Sequence, residues 1–105
     1  MVDDIRVYMG TVIADLVLTE ARSIKERRKP LQSLKQRLLN QDYAVAQVGP
    51  ADLTRRIFLA VTAVAGSEGI LLERLAAAER IIVASEFSVG SLEREISSYS
   101  APSAW

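Results

Sequence analysis

The residues best equipped for chemistry in this chain are cations. The stretch RSIKERRKP, residues 22–30, sets five basic residues and one acid in nine positions. From Arg22 to Arg37 there are seven (Arg22, Lys25, Arg27, Arg28, Lys29, Lys35 and Arg37) against Glu26 alone. Ammonium and guanidinium groups gathered in this way suit phosphate: they release counterions and add affinity while carrying little sequence information. The formal net charge of the chain is zero, so a basic surface over the whole molecule is excluded and a nucleic-acid site has to come from local segregation of charge. The balancing acids do gather elsewhere. Glu68, Glu73, Glu79, Glu86, Glu93 and Glu95 stand against Arg74, Arg80 and Arg94 in the second half of the sequence.

Other chemistries find few residues. The chain has no cysteine and no histidine, which removes disulfides, thiolate nucleophiles, imidazole acid–base catalysis and the usual zinc ligands. Gly66 and Gly69 lack the remaining residues of a phosphate loop. Asp15, on an otherwise apolar segment, and Asp52, in a turn, are the acids in unusual settings. Asp52 reads as a turn-fixing residue, and Asp15 as a rim residue or the partner of a Lys or Arg. The expectation is therefore a non-enzymatic protein, with no catalytic residue, metal or cofactor. No apolar run approaches the roughly 20 residues of a membrane helix and MVDDIR is no signal peptide, so a cytoplasmic location is expected.

Positioning these residues requires a core, and 105 residues suffice for one domain. Val7–Leu18 is rich in β-branched residues and reads as a strand, with Val12, Ala14, Leu16 and Leu18 on one face and Thr11, Ile13, Asp15 and Val17 on the other. Ser23 and Glu26 fit a capping box at the start of a helix carrying Ile24, Leu31, Leu34 and Leu38 as its apolar stripe and ending near Asn40. Pro30 falls inside that helix, so either a kinked continuous helix or a restart at Pro30 is expected, the former favoured. Asp42–Val48 is a short strand and Gly49–Leu53 a turn. Thr54–Ala65 is a long strand with Ile57, Leu59, Val61 and Ala63 on one face. Ile70–Ser85 is an amphipathic helix burying Leu71, Leu75, Ala78 and Ile82, with Glu68 suited to its positive end. A last strand runs through Glu86–Ile96. Residues 1–8 read as an extension, 9–97 as the domain and 98–105 as a flexible tail.

The order β-α-β-β-α-β predicts an α+β, ferredoxin-like plait: a four-stranded antiparallel sheet with both helices on one face. In that topology the start of the first helix and the start of the third strand share one end of the sheet. Arg22, Lys25, Arg28, Lys29, Arg55 and Arg56 are then expected together as a nucleic-acid site, with Lys35 and Arg37 further along the helix. A solvated face of no further use is the alternative, although cations at a helix N-terminus oppose its dipole. Arg27 falls on the side of Leu34 and Leu38 and reads as structural. The sheet face away from the helices, with Ile13, Val17, Phe58 and Val64, is too apolar to lie open in water, and points to a homodimer or a protein-interaction module as the second reading.

The segments GTVIADLVL, ARSIKERRKPLQSLKQRL, YAVAQVG and DLTRRIFLAVTAVA resemble the YlxP-like bacterial proteins, a small family of unknown function, over roughly Gly10 to Ile96. The resemblance implies a ferredoxin-like fold. It also implies a connection with RNA or the ribosome, because genes of that family often lie among those for translation factors and ribosome maturation. Pro30 departs from the pattern where an aliphatic residue is usual, and Thr54 where an aromatic is common. Residues 1–8 precede the family's usual start near Met9.

Overall fold

A computed structural model describes residues 4–18, 24–50 and 56–102. The elements are β1 (Asp4–Val17), α1 (Ile24–Leu39), β2 (Ala44–Val48), β3 (Arg56–Ala65), α2 (Glu68–Val83) and β4 (Ser88–Pro102). The sheet order is β2-β3-β1-β4 and every pairing is antiparallel. This is the ferredoxin-like plait.

Period-two alternation decides which face of the sheet is covered. Val12, Ala14 and Leu16 of β1 and Ile57, Leu59, Val61 and Ala63 of β3 are buried in one cluster. From the helices the same cluster takes Leu31, Leu34 and Leu38, and Leu71, Leu75, Ala78 and Ile82. These are the apolar stripes that the helical spacing requires, and both helices therefore lie on one face of the sheet. Gly10 allows α2 to approach: a Cβ built there would meet Leu75 Cδ1 at 2.7 Å.

The helix ends are fixed by local hydrogen bonds. Ser67 caps α2, its hydroxyl accepting from the Ile70 N–H at 3.3 Å. α1 runs unbroken through Pro30, which cannot donate to the carbonyl four residues back. The left-handed residue after α1 is Asp42, at φ 66°, rather than the expected Asn40. Asn40 instead continues the last turn, its N–H reaching the Gln36 carbonyl at 2.9 Å and its side chain accepting from the Gln36 amide at 2.8 Å. The proposed cap at Ser23 lies outside the described residues, as do Asp52 and Thr54.

The sheet also differs from expectation at one end. Residues 98–102, read from sequence as tail, complete β4, and residues 4–8, read as an extension, begin β1; Asp4 pairs with Pro102 and Tyr8 with Ser98. β3 stops pairing with β1 at Tyr8, so residues 4–7 and 99–102 form a two-stranded end. Backbone pairing defines this segment, and its serine-rich sequence offers no apolar alternation to reveal it.

Candidate functional site

The described cations of α1 do not all share one surface. Lys25, Arg28, Lys29 and Arg37 are exposed and Lys35 is half-buried. Spacings of three and four residues place Lys25, Arg28, Lys29, Gln32 and Lys35 on one side of the helix. There Arg28, Lys29, Leu31, Gln32 and Lys35, together with Gln47 of the edge strand β2, line an open groove of about 690 Å³. Gln47 reaches it because its neighbour on β3 is Leu59, whose side chain points to the helices. None of Lys25, Arg28, Lys29 or Lys35 has an ion-pair partner among the described residues. Leu31 supplies an apolar floor, Gln32 and Gln47 supply amide donors and acceptors, and the cations flank them.

Arg37 turns to the opposite side of α1. It shares a smaller cavity of about 180 Å³ with Pro30, Ser33 and Leu34, and with Ala84, Ser85 and Glu86 beyond α2. Arg22 and Arg55 lie outside the described residues, and so does the side chain of Arg27. Arg56 stands at the expected end of the sheet but on its other face. It shares that face with Phe58, because residues two apart on a strand point the same way, and so does not line the α1 groove.

There Arg56 holds Asp15. Its Nε donates to Asp15 Oδ1 at 2.9 Å and its Nη2 to Oδ2 at 2.6 Å, a two-pronged pair. The guanidinium also lies 5.7 Å from the centre of the Phe58 ring. The Asp15 side chain is only 10% exposed while that of Arg56 is 56% exposed. Room for the carboxylate comes from a bulge in β4: pairing steps from Asp15–Ser91 to Leu16–Val89 and leaves Gly90 without a partner. A Cβ at Gly90 would stand 3.1 Å from Asp15 Oδ2. Asp15 is thus paired, one of the two settings its sequence context allowed.

The hydrogen bonds from Arg56 hold the Asp15 carboxyl below the usual carboxylate range, against the opposing effect of burial. A folded-state value depressed in this way contributes stability above the unfolded value of about 3.9, and the contribution disappears as pH falls through the lower folded value. Urea melts of the parent and of Asp15→Asn should therefore differ at pH 7 and converge as pH falls through the depressed folded value. An unchanged difference across that range would show that the pair adds no pH-dependent stability.

The acidic half is internally braced. Arg94 on β4 donates to both carboxylate oxygens of Glu79 on α2, at 3.0 and 2.5 Å, which lowers the Glu79 carboxyl below its ordinary range. Arg74 stacks 4.3 Å from the centre of the Tyr43 ring and donates to the carbonyls of Gln41 and Asp42, while the Tyr43 hydroxyl donates to the Arg74 carbonyl at 2.6 Å. That reciprocal lock ties α2 to the turn after α1. Arg74 and Arg94 are accordingly structural cations, whereas Lys25, Arg28 and Lys29 are presented outward.

Among the described residues no group of three or more carboxylates could hold a metal ion, and no helix is long and apolar enough to cross a membrane. The architecture is that of a small ferredoxin-like α+β protein with a basic helix face. The chain belongs to the family described as "Protein of unknown function (DUF503)", whose model matches residues 9–94. No curated protein matches it. A structural-genomics structure of a protein YJCS is similar, with a TM-score of 0.48 and 14% identity over 83% of this chain and 96% of that one.

Proposed function

We propose that this protein is a non-enzymatic RNA-binding protein of the YlxP-like kind, which docks on the phosphate backbone of a ribosomal subunit through the α1 groove. The observation that supports this reading is that Arg28, Lys29 and Lys35 converge on one open groove with no ion-pair partner among the described residues. Charge placed for solubility alone is usually interspersed with opposite charge. Here the balancing acids lie on α2, on β4 and at Glu86 between them, and one of them, Glu79, is already paired. Lys25 also stands in the first turn of α1, where the helix dipole disfavours a cation. A phosphate at the groove would offset that local cost.

The reading predicts a strong salt dependence. If Lys25, Arg28, Lys29 and Lys35 each neutralise a phosphate, log affinity should fall with log salt at a slope of about −3 on single-stranded RNA and somewhat more steeply on duplex. Co-sedimentation with purified ribosomal subunits over a salt series measures it. A slope near zero, or no co-sedimentation at low salt, would remove the proposal.

A further inference from the structure

We infer that the sheet face opposite the helices is an isologous interface, and that two copies of this chain pack against each other through it. The face is readable row by row from the strand register. Ile5, Val7, Met9, Thr11 and Ile13 run down β1, flanked by Val64, Thr62, Ala60 and Phe58 of β3. Ala44, Ala46 and Val48 extend it on β2, and Tyr99 and Ala101 on β4. Val64 is 63% exposed, Tyr99 59%, Ile13 38% and Val48 37%.

Its polar groups are arranged for a dry contact. Thr11 and Thr62, side by side at the centre, bond to each other through their hydroxyls at 2.9 Å. Asp15 and Arg56 at one end form their own pair. Glu93 and Glu95 lie on the β4 edge, where long side chains can reach solvent past a partner. No like charges stand at the centre to oppose a second copy of the same surface.

The dimensions suit that occupant. Strands of 14, 5, 10 and 15 residues, at about 3.3 Å per residue and about 4.8 Å between strands, present a face of roughly 700 Å². Two such faces in contact remove about 1,400 Å² from water, inside the range of roughly 1,200–2,000 Å² for a stable specific interface. The single chain is also unusually drawn out, with a radius of gyration of 16.2 Å against about 13 Å for a compact domain of this length. The two-stranded end of β1 and β4 stands beyond the pairing of β1 with β3, and two strands alone are marginal in water. A twofold axis across the strands lays that end of each copy against the broader part of the partner's sheet.

Light scattering coupled to gel filtration tests this with the full chain. The expected mass at high protein concentration is twice the 11.5 kDa of one chain. The double variant Ile13→Glu/Val64→Glu should run as a monomer with an unchanged circular dichroism spectrum. Ile70→Glu, at an exposed position on α2, should remain a dimer. Should the double variant misfold, Val64→Lys alone, at the most exposed of these positions, should still shift the equilibrium to monomer. A parent protein that stays monomeric, or a Val64→Lys variant that stays dimeric, overturns the interface.

Discussion

Changing Lys25, Arg28 and Lys29 together to Glu should reduce RNA affinity by about 50-fold or more at physiological salt. Each lost phosphate contact removes roughly 0.7 of a counterion per event, and near 0.15 M salt three contacts account for about 1.7 log units. Repulsion between the new carboxylates and the backbone adds to that. The variant has the further merit of separating binding from folding. Lys25 stands in the first turn of α1, where an acid interacts favourably with the helix dipole by about 0.3–1 kcal/mol, and all three side chains are exposed. Thermal stability should therefore be unchanged or slightly raised while the salt slope shallows by about 2 units. Fluorescence anisotropy with a labelled ribosomal RNA fragment, alongside thermal melts, reads both quantities. Retained affinity in a folded triple variant would show that the α1 cations serve only the surface.

What the sequence disclosed about these features depended on how local the cause was. The alternation in β1 and β3 and the α2 stripe are consequences of backbone geometry, and the buried residues fell where period two and period 3.6 put them. The face chosen by Arg56 was open to the same arithmetic. It lies two residues before Phe58, so its side chain had to leave the helix side, although its end of the sheet alone suggested a place beside α1. Other features had no local signature. The Tyr43–Arg74 lock joins residues 31 apart, and its partners are decided by how α2 lies against the turn after α1. The groove owes Gln47 to strand register and Lys35 to the approach of α1 to β2. The paired end of β4 is held by backbone hydrogen bonds that serines permit and do not announce. The site was thus legible as a list of cations, and its division into a groove, an ion pair and a separate Arg37 required the packed structure.

Gly10 offers the sharpest test of that packing. Gly10→Ala should destabilise the protein by about 1–3 kcal/mol, the usual cost of forcing extra volume into a filled core. The new methyl would lie 2.7 Å from Leu75 Cδ1 and 3.3 Å from both Leu71 methyls, and Leu71 and Leu75 are fully buried, so neither can swing away into solvent. Leu75→Ala alone should cost about 2–5 kcal/mol through lost burial and the cavity left behind. The double variant should cost less than the sum, because the methyl added by Gly10→Ala enters space that Leu75 vacates and the two substitutions relieve one another. Urea unfolding of the four proteins closes the cycle. Strict additivity would mean that α2 shifts along the sheet to accept the methyl, and that the close approach at Gly10 does not set the distance between α2 and β1.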